Sequence, residues 1–297
     1  MEWCPNKGPA PSRALRWAMV LLSVDHGIEL LVVARSAYRR SDWRTTYETF
    51  GRVESVQRLA TDDLAAYAAA AWRLGHGREA VRINERVHTL LVRTDPVQAA
   101  VKAAELGLAW LARGHVAVAR SWADRAALLL RGTAESAAHG YVAYLGVVLA
   151  PEGPAATELR GIAARVGDPA LTALADAAEG ITALARQRFA EGYAALDDAL
   201  LPMLDERVPM EWAADVYRRA LMSAADHADA DRLRAWSESA LRWAEATDAV
   251  TYRAIVDVLR SHAGLAPART RLGELRRVVA EVDAAVVGLL DDLLARR

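Results

Sequence analysis

The stretch "WRLGHGREA", residues 72–80, decides how this chain folds. It ends one helical pattern and opens another around two glycines. A similar phrase, "WLARGHVAVA", follows at 110–119. Each phrase has a tryptophan, then a glycine turn, then a small residue five positions after the first turn glycine. Because glycine reverses the chain readily and small side chains let two helices approach closely, the phrase predicts a helical hairpin.

Helical periodicity runs through the rest of the chain. Alanine, leucine, arginine and glutamate dominate, and all four are strong helix formers. Apolar residues recur at spacings of three and four, as at Leu64, Tyr67, Ala68, Ala71 and Trp72. Asn-Gly and Asp-Gly, the dipeptides that favour tight strand hairpins, do not occur. The sequence therefore predicts an all-α fold.

The pattern of turn and small residue repeats along the chain. Turn origins at Ser41, Gly75, Gly114, Gln187 and Ala230 are each followed, five positions on, by a small residue: Thr46, Ala80, Ala119, Gly192 and Ala235. The origins lie 34, 39, 73 and 43 residues apart. The long interval spans two units, with a degenerate turn around Pro151 to Pro154. Such periods are typical of stacked helix pairs, which bury their apolar faces only against neighbours.

Local signals refine these helices. Asp95–Pro96 and Asp168–Pro169 predict helix starts, because aspartate caps free amides and proline fits the first turn. Only 14 residues separate Gly153 from Gly167, so the second helix of that pair should be short. Gly107 and Gly180 each lie seven residues before a turn origin. There they predict a close approach of the two helices in a hairpin.

Composition and charge exclude several classes of protein. The 297 residues are 53% hydrophobic and 25% charged, which is typical of globular chains. A net charge of -1 gives no basic excess, so we expect no direct nucleic-acid binding from this chain alone. A single cysteine, Cys4, suits a reducing compartment and predicts a cytoplasmic protein. Asp25, His26 and Glu29 interrupt the apolar stretch at 17–33, so a buried helix is expected rather than a membrane span.

The spacing of small and turn residues resembles that of the tetratricopeptide repeat. From about 34 to 262 the chain is also similar to the repeat region of large LuxR-type bacterial transcriptional regulators. The segments that carry this likeness include "ARSAYRRSDWRTTYETF", "DLAAYAAAAWRLGHGREAVRINERVHTLL", "AAELGLAWLARGHVAVARSWADRAALLL" and "HGYVAYLGVVLA". The resemblance implies a right-handed superhelical solenoid of about six antiparallel helix pairs plus a C-terminal capping helix.

The resemblance also suggests a division of the chain. Residues 1–25 would be a loose leader or a misplaced start, 26–265 the repeat array, and 266–297 one or two capping helices. The end, "RLGELRRVVAEVDAAVVGLLDDLLARR", departs from the LuxR-type pattern, which closes with a DNA-binding helix-turn-helix domain. A P-loop "GxxxxGK[ST]" of an ATPase module is also missing.

Arrays of this family bind partners along a concave face lined by the first helix of each pair. The resemblance, carried over by register, therefore implies an inward-facing set of residues: Arg35, Tyr38, Arg39, Asp62, Trp72, Arg73 and Glu105. Arginine pairs with carboxylate through two hydrogen bonds, and aromatic rings offer it a stacking surface. The set would suit an acidic peptide or a chain terminus.

Patterns typical of catalysis or metal binding are weak. Glu85 and His88 have the Glu-x-x-His spacing of di-iron bundles, but the second copy that such a site needs is missing. The "DHADAD" run at 226–231 lacks the glycine and late glutamate of an EF-hand. A surface ion pair and a solvated turn explain both. We therefore expect no catalytic residue, no metal and no cofactor.

The resulting hypothesis is a non-enzymatic scaffold that holds a protein or peptide partner in a concave groove, in bacterial signalling or transcriptional regulation. A homodimer is compatible with it. Two alternatives stay open. The chain could be the ligand-sensing, effector-binding module of a LuxR-type regulator, or a directly DNA-linked regulator. This alternative predicts a closed, apolar pocket between repeats or a C-terminal helix-turn-helix. It could also be an accessory subunit of an enzyme, which predicts titratable side chains converging on one cleft.

Overall fold

A computed structural model describes residues 27–204, 207–265 and 272–295 of the chain. These residues form helices joined by turns and contain no strand, which confirms the predicted all-α class. The predicted leader, 1–25, lies outside the described residues. The chain divides into an N-terminal unit, Met1–Ala70, and a C-terminal unit, Ala71–Arg297. Among the helices in the described ranges, none combines the length and apolar character that crossing a membrane requires.

The N-terminal unit contains three helices. These are α1 (27–39), α2 (Trp43–Glu54) and α3 (Thr61–Arg73), whose last turn belongs to the next unit. Aromatic contacts join α2 to α3, because the Tyr67 ring lies 5.4 Å from Tyr47 and 6.1 Å from Phe50 between centroids. The inner face of α1 buries Leu30, Ala34 and Ala37.

The C-terminal unit continues with twelve further described helices. They are α4 (Gly77–Thr94), α5 (Pro96–Ala112), α6 (Val116–Leu130), α7 (Ala137–Leu149), α8 (Ala155–Val166), α9 (Pro169–Ala185), α10 (Phe189–Leu204), α11 (Met210–Asp226), α12 (Ala230–Ala246), α13 (Val250–His262), α14 (Leu272–Val279) and α15 (Ala284–Ala295). Consecutive helices pack as hairpins, with α5 against α6, α7 against α8, α9 against α10 and α11 against α12. The first helices of successive hairpins also touch, from α5 through α7, α9 and α11 to α13.

The predicted turn residues adopt a left-handed backbone. The φ angles are +58° at Ser41, +88° at Gly75, +80° at Gly114 and +60° at Gln187. After each one, the next residue donates its backbone N–H to the carbonyl five positions earlier, as His76 does to Ala71 at 2.9 Å. This bond satisfies a carbonyl that the ending helix would otherwise leave without a partner. One turn geometry thus recurs at the spacing that the sequence predicts.

The fifth turn was placed wrongly by the sequence. The left-handed residue is Ala228, with φ of +56°, and not Ala230, which is the first residue of α12. The reason is that Asp229 caps α12, its side chain accepting a hydrogen bond from the Arg232 amide at 3.0 Å. The left-handed turn residue lies just before Asp229, the residue that caps α12. The buried residue five positions after Ala228 is therefore Leu233, whereas Ala235 is exposed.

Other local signals are confirmed. The Asp95 carboxylate accepts from the Gln98 amide at 3.0 Å, and Asp168 accepts from Ala170 at 2.8 Å. Pro96 and Pro169 are the first residues of their helices. The α8 helix has 12 residues, against 15 in α6 and 16 in α10, so the helix after Gly153 is short as expected. These features depend on neighbours in sequence, which explains why they could be predicted.

Two helices cross at nearly backbone contact where α9 meets α10. A Cβ atom added to Gly180 would lie 2.9 Å from the Gly192 carbonyl oxygen, and one added to Gly192 would lie 3.0 Å from the Gly180 oxygen. The close approach predicted within this hairpin is therefore confirmed. Gly107 differs, because a Cβ there would first meet Leu145 of α7, at 2.5 Å. The lack of a side chain at Gly107 therefore chiefly allows α7 of the neighbouring hairpin to pack closely against α5.

The two ends of the C-terminal unit contact each other. Thr251 donates its hydroxyl to the Trp72 carbonyl at 2.9 Å, and Arg73 Nε donates to the Thr247 carbonyl at 3.2 Å. The amide of Arg78 donates to the Glu281 carboxylate at 3.2 Å. In an open row of hairpins the first and last hairpins stay apart. This contact therefore departs from the open concave face that the resemblance implies. The superhelical hand and the repeat count stay predictions.

At this junction the structure leaves no room for a side chain at Gly77. A Cβ there would lie 2.5 Å from Val282 Cγ1 and 2.9 Å from the Glu281 carbonyl oxygen. We expect Gly77→Ala to lower the free energy of unfolding by about 1–3 kcal/mol, because the connection after α14 must move away. Chemical denaturation followed by circular dichroism measures this change.

The matched control is Gly161→Ala, also a glycine in a helix. Its Cβ would meet only the flexible end of Arg165, at 3.0 Å. Alanine is the better helix former by roughly 1 kcal/mol, so this variant should be as stable as the unchanged protein or more stable. Equal stability of the two variants would contradict the close contact at Gly77.

Candidate functional site

The seven residues of the predicted groove fall into two groups. Arg35, Tyr38, Arg39 and Asp62 belong to the N-terminal unit, whereas Trp72, Arg73 and Glu105 belong to the C-terminal unit. The two groups have different surroundings, and each is described within its own unit. A groove formed by all seven residues stays a prediction.

The first group lies around an exposed face of α1. Ile28, Val32, Arg35 and Arg39 are spaced at four, three and four residues, which places them in one stripe along the helix. Val32 is 61% exposed and Ile28 52%, and Arg39 is exposed as well. Two solvent-exposed branched aliphatic side chains thus lie on the same helix face as two guanidinium groups. We call these four residues the α1 stripe.

Asp63 of α3 orients one end of this stripe. Its carboxylate accepts two hydrogen bonds from Arg35, from Nε and Nη2, both at 2.8 Å. The hydrogen bond and the charge of Asp63 raise the pKa of Arg35, and Asp62 adds a smaller effect in the same direction. The Asp63 side chain is only 6% exposed, whereas that of Arg35 is 52% exposed. The pair therefore fixes the arginine while leaving much of it accessible.

Tyr38 borders the stripe. Its ring meets Trp43 edge to face, with centroids 5.6 Å apart and an angle of 76° between the rings. The tyrosine keeps 38% of its surface exposed, and Val33, on the other side of the stripe, keeps 48%. Exposed apolar and aromatic groups next to arginines are typical of protein interfaces.

Trp72 and Arg73 are engaged inside the C-terminal unit. The Trp72 ring lies 6.4 Å from the Tyr252 ring between centroids. Trp72 and Arg73 also form the hydrogen bonds to Thr251 and Thr247 described above. Their contacts join the start of this unit to its end. Sequence register alone could not reveal this, because the partner residues lie more than 170 positions away.

Glu105 lies in a largely buried position on α5. Its carboxylate accepts a hydrogen bond from Lys102, and its side chain is only 15% exposed. Burial raises the pKa of Glu105 to about 7, although the Lys102 charge opposes the rise and Glu211 adds to it. Glu105 is poorly placed to meet a large partner.

A buried polar network links the inner helices of the same unit. Tyr144 and Arg219 both donate to Asp215 Oδ2, at 2.9 Å and 2.7 Å. Arg218 makes a two-bond ion pair with Asp283, which also accepts from the amides at the start of α15. Every carboxylate here is bonded within the protein, so the network stabilises helix packing and offers no exposed nucleophile.

Metal ligands do not cluster in the described ranges. Within them, no group of three or more histidine, cysteine, aspartate and glutamate side chains has an arrangement that could hold an ion. In the "DHADAD" run, Asp229 caps α12 and also accepts from Arg232 Nη1 at 2.7 Å. Its carboxylate is therefore used in the local turn, as the interpretation of this run as a solvated turn requires.

A second group of polar residues, which was not predicted from the sequence, comes together in the structure. Arg78, Arg82, Trp110, Arg113 and His115 line one cavity in the C-terminal unit. The sequence contains one weak indication of this group, because both glycine turns have a histidine directly after the glycine, at Gly75 and at Gly114. The wall contributed by residues 280–284 comes from the far end of the chain and could not be inferred from this indication.

Comparisons with known proteins yield no match from protein-family models, curated proteins or solved structures.

Proposed function

We propose that this chain is a non-enzymatic, tetratricopeptide-like helical-repeat protein that binds a protein partner in bacterial signalling or transcriptional regulation. The single observation that carries the proposal is the α1 stripe, in which exposed Ile28 and Val32 are followed along the same helix face by Arg35 and Arg39. Supporting it, the recurring left-handed turns match the spacing on which the resemblance to the repeat family rests.

The composition of the stripe favours one kind of partner. Burying two branched aliphatic side chains contributes about 1.5–3 kcal/mol each when they leave water completely. Arginines beside them favour carboxylates at the rim of the interface and raise the association rate. A stripe of this length on one helix suits a second helix. The partner element is therefore an amphipathic helix with an apolar face flanked by glutamate or aspartate.

A pair of matched variants tests the stripe. Val32→Asp with Arg39→Glu removes an apolar contact and reverses a charge, and neither side chain belongs to the buried face of α1. The control, Val56→Asp with Arg44→Glu, makes the same changes at exposed positions outside α1. The full-length proteins are used to capture partners from the native cell, with quantification by mass spectrometry.

We expect the same partner with the unchanged protein and with the control, and at least tenfold less with the stripe variant. Losing one buried aliphatic contact is enough for that factor, since tenfold corresponds to about 1.4 kcal/mol. Equal recovery with all three proteins would exclude the stripe as the binding surface. Failure to recover any specific partner would contradict the proposed function itself.

A further inference from the structure

The C-terminal unit holds a cavity of about 410 Å³ where its two ends meet. One wall comes from α4, the end of α5 and the turn before α6, and the other comes from residues 280–284. Its lining comprises Arg78, Val81, Arg82, Glu85, Trp110, Arg113, His115, Ala280, Glu281, Asp283 and Ala284. This volume falls within the range of small-molecule sites. None of the residues of the α1 stripe contributes to it.

Arg113 is a half-buried cation that lines this cavity. Its Nη2 donates to the Gly77 carbonyl at 2.8 Å and its Nη1 to the Ala109 carbonyl at 2.6 Å, so both recorded acceptors are neutral. Burial lowers the pKa of Arg113 to about 10, although the charges of Glu281 and Asp283 oppose this effect. A carboxylate that entered the cavity would supply the charge that these carbonyls do not.

Both carboxylates near Arg113 are bonded elsewhere. Glu281 accepts from the Arg78 amide at the start of α4, and Asp283 is paired with Arg218. Neither is recorded within hydrogen-bond distance of Arg113 in the described part of the chain. The guanidinium therefore keeps hydrogen-bonding capacity for an anionic group, since it has five N–H donors in all.

Trp110 adds a second donor. Its Nε1–H is buried and has no hydrogen-bond partner among the residues that the structure describes. The ring meets His115 edge to face, with centroids 5.3 Å apart. An unbonded buried donor costs about 1–3 kcal/mol, so a small shift that brings a ligand oxygen to this N–H is favourable.

The rim of the cavity carries both signs of charge. Arg78 and Arg82 favour an anion, whereas Glu85 on the same helix favours a cation. A dianion such as phosphate would place two negative charges in a cavity whose lining already contains the carboxylates of Glu85, Glu281 and Asp283. A ligand with one carboxylate and one ammonium satisfies both signs within a small volume. An apolar surface, from Val81, Ala280 and the Trp110 ring, remains for a side chain.

We propose that this cavity binds a free α-amino acid, whose carboxylate accepts from Arg113 and Trp110 and whose ammonium group lies toward Glu85. Amino-acid binding in this cavity is independent of partner binding at the α1 stripe, because the two sites share no residue. It makes the C-terminal unit a sensor of a small metabolite.

Isothermal titration of the full-length protein with each of the twenty common amino acids tests this. We expect saturable binding of at least one of them. Its amide, which lacks the carboxylate, and its N-acetyl form, which lacks the ammonium, should each bind at least tenfold more weakly. Inorganic phosphate should not compete. Absence of binding at millimolar concentrations would overturn the proposal, and so would equal binding of the N-acetyl form, which indicates a peptide C-terminus or simple carboxylate as ligand.

Two conservative variants locate the site. Trp110→Phe keeps the ring but removes the donor, and Glu85→Gln keeps the size but removes the charge. Each should weaken binding about tenfold, the effect of one hydrogen bond or ion pair to a charged group. Arg120→Ala, an exposed change outside the cavity lining, should have no effect. Unchanged affinity in both cavity variants would place the amino acid elsewhere.

Discussion

Replacing Arg218 with alanine should lower the free energy of unfolding by about 3–5 kcal/mol. The guanidinium pairs with Asp283, whose side chain is only 1% exposed. Without Arg218 that carboxylate loses its ion-pair partner in a buried position. The amides of Ala285 and Val286 still donate to it, each at 3.1 Å, so we expect the lower end of this range. Urea denaturation followed by circular dichroism measures the loss.

The control is Arg276→Ala. Arg276 also makes two hydrogen bonds to an aspartate, Asp291, but both side chains are 48% exposed. Exposed pairs contribute about 0–1 kcal/mol, because water screens the charges. Adding Asp283→Asn to Arg218→Ala removes the isolated charge and should restore part of the stability. Equal stability of Arg218→Ala and Arg276→Ala would contradict the buried position of the Arg218–Asp283 pair.

Replacing Ala119 with tryptophan should cost about 3 kcal/mol or more, or prevent folding, because the added indole has no space. Ala119 is fully buried in α6, and Gly107 of α5 lies so close that an added Cβ there would be 3.5 Å from the Ala119 carbonyl oxygen. Helicity and the thermal midpoint, measured by circular dichroism, should both fall.

Ala117→Trp makes the same change two residues earlier on α6, at an exposed position. Surface substitutions of this kind usually change stability by at most about 0.5 kcal/mol. A large difference between the two variants is therefore expected. If Ala119→Trp melts like Ala117→Trp, the small-residue position assigned to this hairpin is wrong.

Some of the turns were predictable from the residue type, whereas others were predictable only from the repeat spacing. Gly75 and Gly114 could be recognised from glycine alone, which tolerates a left-handed backbone. Ser41 and Gln187 were found only through the repeat spacing, since nothing in those residue types requires this geometry. Ala228 was missed by two positions, because the small residue at 235 suggested a different register from the one that Asp229 imposes.

The candidate sites were predictable only in part. Arg35, Tyr38 and Arg39 share an exposed region of α1, as helical spacing suggests for positions three and four residues apart. The same reasoning assigned Trp72 and Arg73 to a partner surface, yet both contact α12–α13 within their own unit. The cavity around Arg113 was missed, because one of its two walls comes from residues 280–284, far from Arg113 in the sequence.

The sequence by itself determined the helical class, the helix starts at Asp95–Pro96 and Asp168–Pro169, and four of the five turn positions that it predicted, since all of these features arise from bonds between residues a few positions apart. Only the tertiary structure decided that the two ends of the C-terminal unit meet at Gly77 and that Arg113 becomes a half-buried cation beside that contact. The physical reason is that such contacts depend on the summed geometry of every helix between residues 77 and 281. Small differences in packing at each hairpin accumulate along the row, and no local pattern records their total.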